Sequence, residues 1–137
     1  MNNNIWGPKA WFFLHTITFN YPDNPSNNDK KNYKHFFESL QFTLPCKICK
    51  EHYVNHIKDY PIDNYLDTKE NLVKWLIIIH NEVNKILNKP ILNYTEIIEY
   101  YNNIYNNIYN NSNIYNIIYI ILTIIVIIVV LFIYLKV

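Results

Sequence analysis

The chain has 137 residues, a formal net charge of +1, and basic side chains that are all lysine. Without the planar fork of arginine, and with its lysines scattered rather than striped, it carries no electrostatic footprint for nucleic acid. A single glycine rules out a phosphate-cradling loop, and two cysteines cannot build the disulfide framework of a small secreted module.

Residues 1–4 read as a short polar leader, lacking the basic and apolar regions of a cleavable signal. Next comes Ile5-Trp6-Gly7-Pro8-Lys9-Ala10-Trp11-Phe12-Phe13-Leu14-His15. Pro8 suits the first turn of a helix, and Trp11, His15 and Thr18 share a face, so a first helix is expected over about residues 8–20. The turn formers between Tyr21 and Ser26 stop it. A second helix is expected over about residues 29–42, with Tyr33, Phe36, Phe37 and Leu40 on one stripe.

The third helix carries the only two cysteines, in Leu44-Pro45-Cys46-Lys47-Ile48-Cys49-Lys50-Glu51-His52-Tyr53. Pro45 places Cys46 at or beside the helix N-terminus, where free N–H groups and the helix dipole favour a thiolate. Cys49 follows one turn later, within reach of a disulfide that can open and close. The plainer alternatives are two inert buried thiols and a zinc site, since Cys46, Cys49, His52 and His56 read C-x2-C-x2-H-x3-H. On one straight helix, however, Cys46 and His56 lie about 15 Å apart along the axis, which is too far for ligands that must converge on one ion. The spacing favours a redox pair. The inner stripe is Cys49, His52, Tyr53 and His56, and the helix ends before Pro61.

A fourth helix starts with Asp67 or Thr68 as cap and Glu70 in its first turn. Leu72, Trp75, Leu76, Ile79, Val83, Ile86 and Leu87 keep period to Lys89-Pro90. On it His80 and Asn84 stand one above the other with Asn81 beside them. An imidazole and two amides on so apolar a face need polar partners, which a flat heteroaromatic ring with nitrogens and carbonyls would supply. Thr95 to Tyr100 reads as a short helical turn, and no strand pattern of any length precedes residue 100. The fold class is all-α: a four-helix bundle with a short fifth helix.

The Asn-Asn-Ile-Tyr repeat that follows reads as a linker, because Asn favours local side-chain turns over helix. Residues 117–135 are almost unbroken apolar, with Tyr115, Tyr119 and Tyr134 near the ends. About 20 such residues cross a hydrocarbon core, with Tyr at its edges. The expected division is a bundle over 1–101, a linker over 102–113 and a membrane anchor over 114–137. Only Lys136 and Val137 follow the apolar run, so a tail anchor is expected, with the bundle on the cytosolic side of a cellular or viral membrane.

The motifs Trp6-Gly7-Pro8-x-x-Trp11-x-x-x-His15, Pro45-Cys46-x-x-Cys49-x-x-His52-Tyr53 and Trp75-x-x-x-x-His80-Asn81-x-Val83-Asn84-x-x-x-x-Lys89-Pro90 resemble, in order and spacing, the Erv/ALR flavin-linked sulfhydryl oxidases. The short build with one cysteine pair is most similar to members from large cytoplasmic DNA viruses. The resemblance covers about residues 5 to 100. It implies FAD at the mouth of a helical bundle and oxidation of protein dithiols to disulfides, with O2 as final acceptor and hydrogen peroxide as product. Cys46 would exchange with substrate, and Cys49 would lie against the flavin. Trp11, His15, Tyr53, Trp75, His80, Asn81, Val83, Asn84 and Lys89 would form the FAD site, with Gly7 and Pro8 bringing backbone near it and His52 on the adenine side. No metal is implied.

The resemblance also implies a homodimer paired through the first two helices. Relatives with a second cysteine pair on a mobile arm have no counterpart here, so a small dithiol or thioredoxin-like protein would reach Cys46 directly. Two other functions use parts of the same sequence. A thioredoxin-like reductase needs strands around its cysteine helix, and none are readable. A non-catalytic membrane-tethered adaptor leaves the cysteine and His-Asn-x-Val-Asn motifs without a role.

Overall fold

A computed structural model describes residues 2–135, except for the side chains of residues 108–112 and 132. Met1 of the expected leader, and Lys136 and Val137 of the expected anchor, lie outside the described residues. The described residues are helical, without strands, and divide into two compact units, residues 1–94 and 95–137.

The first unit is a four-helix bundle: α1 (Asn3–Phe19), α2 (Asn27–Thr43), α3 (Lys47–Asp59) and α4 (Lys69–Ile86). Helix α1 begins earlier than the sequence suggested and takes in Asn3 and Asn4 of the polar leader. Asn2 caps it, its side chain accepting the Asn4 N–H at 2.9 Å. Pro8 therefore lies inside the helix rather than in its first turn, and its missing N–H costs the Asn4 carbonyl its helical partner. Helix α2 is started by a capping box between Ser26 and Asp29. Cys46 is the N-cap of α3, its Sγ accepting the Cys49 N–H at 3.3 Å. Thr68 rather than Asp67 caps α4, accepting from Asn71 N–H at 3.2 Å.

The apolar stripes meet in one core containing Leu14, Tyr21, Phe37, Tyr53, Ile62, Leu66, Leu72, Trp75, Leu76 and Ile79, with Tyr33, Phe36 and Leu40 packed against it. Its buried polar groups are matched to backbone carbonyls. Trp75 Nε1 donates to Tyr60 O at 2.8 Å, Tyr53 Oη to Phe37 O at 3.0 Å, and Tyr21 Oη to Leu66 O at 2.9 Å. A 3-10 turn, Ile62–Tyr65, carries Ile62 into this core. Lys30 and Lys34 of α2 pin the same connection through Asp67 and Asp63, each at 2.5 Å. These pairs are solvent-exposed and stabilise by about 1 kcal/mol or less each.

Helix α4 ends in a two-bond cap. Asn88 takes φ 52°, Lys89 N–H bonds Asn84 O at 2.9 Å, and Asn88 N–H bonds Lys85 O at 3.3 Å. This turn reverses the chain into residues 90–93.

Residues beyond this point differ from the sequence expectation. One helix, α5 (Tyr94–Leu135), runs through both the short helical turn and the supposed linker. Asn is a weak helix former, but the penalty is only about 0.7 kcal/mol per residue. The four-residue repeat places its Ile residues at i and i+4, and its Tyr residues likewise, so helix is the conformation that aligns them. Within α5, Asn113–Leu135 is long and apolar enough to cross a membrane, and it is not buried.

A cysteine pair, an open strip on the first helix and a paired-histidine pocket

Cys46 and Cys49 form a disulfide with Cα atoms 5.1 Å apart at the start of α3. An open concavity of about 510 Å³ beside it is lined by Pro45, Cys46, Lys47, Ile48 and Glu51. Cys46 lines that opening, and both cysteines are half-buried. On the bundle side, the Asn3 amide nitrogen lies 3.6 Å from each sulfur. Helix α1 thus reaches the redox pair with its first residue.

Further along α1, Trp11 lies flat on His80 of α4, with ring centroids 3.8 Å apart and planes 7° apart. His80 Nδ1 and His15 Nε2 are 3.1 Å apart. One ring supplies the N–H and the other the lone pair, so the accepting imidazole must be neutral. Burial enforces that: it lowers the His15 pKa to about 4. Burial, then the neighbouring His15 and Lys89, lower that of His80 to about 3. The resemblance implied one site for His15 and His80, and the fold makes them direct partners.

Asn81 and Asn84 behave differently from the expectation. The amides were expected to await a ligand ring, but they are engaged by the chain itself. Asn81 Nδ2 donates to Leu92 O at 2.9 Å, and its Oδ1 accepts Leu92 N–H at 2.8 Å. Asn84 Nδ2 donates to Pro90 O at 3.0 Å. Together they hold the segment after α4 against that helix. A backbone segment without secondary structure has free N–H and C=O groups, and these partners were invisible to helix-face reasoning.

Trp75 is fully buried, edge-on to Phe37 at 5.0 Å, and Tyr53 is buried beside the same core. His52 is half-buried with its ring 6.4 Å from that of His56, Val83 is half-buried, and Pro8 and Lys89 are exposed. Asn3 was missed altogether, because its relation to the cysteines spans 43 positions of sequence and leaves no local signal.

These residues fit a flat, polar-edged cofactor. Asn3, Gly7, Trp11 and His15 follow at intervals of four along α1, a slowly winding stripe from the disulfide to the paired histidines. At Gly7, midway, a Cβ would meet nothing within 4 Å. The strip between redox pair and aromatic stack is therefore open, with backbone as its floor. Trp11 and His80 end that strip as a half-buried stacked pair, with His15 fully buried and hydrogen-bonded to His80.

Residues 8–102 match the Erv1/Alr family model. A probable FAD-linked sulfhydryl oxidase of Acanthamoeba polyphaga mimivirus is 44% identical over 100 residues, covering 72% of this chain and 70% of the relative. An FAD-linked sulfhydryl oxidase of African swine fever virus is 33% identical over 105 residues, covering 72% and 78%. Among solved structures, the FAD-binding domain of Erv1 from Saccharomyces cerevisiae superposes with a TM-score of 0.65 at 28% identity, covering 68% of this chain and 87% of that one.

Proposed function

The chain belongs to the Erv1/Alr family, and from that premise we propose that it is an FAD-linked sulfhydryl oxidase forming disulfides in dithiol proteins through Cys46 and Cys49. The observation that carries this reading is the Cys46–Cys49 disulfide at the cap of α3, with Cys46 lining an open concavity.

A substrate thiolate attacks Cys46 Sγ from the concavity. The Cys46–Cys49 bond breaks, a substrate–Cys46 disulfide forms, and Cys49 leaves as thiolate. The second substrate thiol, deprotonated, attacks the substrate sulfur of that mixed disulfide. It releases an oxidised substrate and Cys46 as thiolate, which the Cys49 N–H holds at the helix cap. The chemistry that FAD supplies when bound is acceptance of the electron pair and its transfer to O2, yielding hydrogen peroxide. Trp11, His15 and His80 would hold the ring system, Gly7 and Pro8 would leave room for it on α1, and Trp75 and Tyr53 would support it from the core. Asn81 and Asn84 hold the segment after α4 in place, Val83 and Lys89 would line the FAD site, and His52 would lie on its adenine side.

The helix Asn113–Leu135 is proposed to span a bilayer and hold the bundle at its cytosolic face. A cytosol keeps thiols reduced, so an oxidase fixed there acts on substrates brought to that surface. A second copy pairs across α1 and α2, where exposed Phe13 packs edge-on to Phe36 at 6.4 Å.

The direct test is the visible spectrum of the full chain in detergent micelles. A flavin band near ~450 nm, at about one FAD per chain, should be bleached by dithiothreitol under nitrogen and restored by air. A folded, colourless chain that takes up no added FAD refutes the proposal.

A further inference from the structure

Asn3 stands where the sequence suggested only a polar leader, and its side chain is tied at both ends. Nδ2 lies 3.6 Å from Cys46 Sγ and 3.6 Å from Cys49 Sγ, and Oδ1 accepts Trp6 Nε1–H at 3.2 Å. An asparagine amide has the same shape either way round, so its orientation is set by its partners. Trp6 decides it here. An indole N–H can only donate, so it must meet the carbonyl oxygen, and the NH2 is left facing the sulfurs. The Asn2 cap on Asn4 N–H fixes the start of α1 and with it the Asn3 backbone.

Resting on the reading of Cys46 and Cys49 as the redox pair, we propose that Asn3 is a further catalytic residue. Its amide N–H groups hold the negative charge that appears first on Cys49 and then on Cys46. A disulfide sulfur is a weak acceptor and a thiolate a strong one. The contact therefore strengthens as the S–S bond breaks and the electron pair passes to Cys49 Sγ, which favours the transition state over the resting disulfide. The NH2 has two hydrogens for two sulfurs, so it also meets Cys46 Sγ when the second substrate thiolate displaces it. The α3 N-terminus stabilises the same charges from one helix, and Asn3 adds a donor from another.

The test reads the thiolates rather than turnover. The full chain in detergent micelles is reduced, kept under nitrogen and alkylated with iodoacetamide across pH 5 to 9, with each cysteine followed by mass. Asn3→Ala should move the alkylation midpoint to higher pH and slow the reaction at pH 7 by about three- to tenfold, the range for losing one charge-assisted hydrogen bond at an exposed site. Asn3→Asp keeps the shape but replaces the donor with a negative charge, and should slow it further. Trp6→Phe frees the amide to turn and should give a smaller change in the same direction. Equal midpoints in wild type, Asn3→Ala and Asn3→Asp, with unchanged helicity, overturn the proposal. That result leaves the cysteine pair's own role standing, because that role is tested separately by turnover of Cys49→Ser.

Discussion

Cys46 and Cys49 differ by one helical turn, yet only Cys46 borders the open concavity. Replacing Cys49 by Ser removes the leaving thiolate and keeps the residues proposed to hold the flavin. The expected outcome is a yellow protein whose oxygen consumption with dithiothreitol falls to background, measured with an oxygen electrode. His15 and His80 carry a pH prediction. Both bind protons more weakly folded than unfolded, with values near 4 and 3 against 6.5. Between pH 6.5 and about 4 the unfolded chain therefore holds more protons than the folded one, so stability falls as pH falls through that window. His15 alone accounts for about 3 kcal/mol across it, at ~1.4 kcal/mol per pH unit. Thermal unfolding of the wild type at pH 7, 6 and 5 should show a falling Tm, and His15→Leu should flatten that slope. The family resemblance implied one site for these two histidines. Their mutual hydrogen bond was not legible, because 65 positions separate them and only the packing of α1 on α4 sets their distance.

At the scale of elements, the ends of helices were less readable than their stripes. The Phe37, Leu72, Trp75, Leu76 and Ile79 faces all reached the core, since burial of an apolar stripe decides a helix face in any bundle. The start of α1 was missed, because a run of asparagines reads as turn until one of them is seen capping. The end of α4 rests on Asn88 in the left-handed region, where asparagine is tolerated and most side chains are strained. Asn88→Gly should stabilise by up to about 1 kcal/mol and Asn88→Val should cost about 1–2 kcal/mol, read as opposite shifts in Tm. Asn84→Leu deletes the bond to Pro90 O and leaves a backbone carbonyl without that donor. A loss of about 1–2 kcal/mol, with weaker flavin retention on gel filtration, is the expected result.

For the whole molecule, the apolar part of α5 makes its own prediction. Ile124 and Ile128 lie at i and i+4 and are exposed, so lysine at both places two charges on one face of the proposed span, near its middle. Each costs about 2.5–3.5 kcal/mol or more in a bilayer. The full chain should float with vesicles in a density gradient, and Ile124→Lys/Ile128→Lys should remain at the bottom. The sequence by itself determined the all-helical class, the cysteine pair at a helix cap and the membrane-length apolar run. Each of these is a local matter of periodicity, capping or composition, encoded within a turn or two of chain. Only the tertiary structure decided that the helix amides serve the backbone of residues 90–92, that His15 pairs with His80, and that Asn3 meets both sulfurs. The first joins α4 to the non-helical segment after it, and the other two join helices far apart in sequence, at distances set by how the apolar stripes pack, which no single segment specifies.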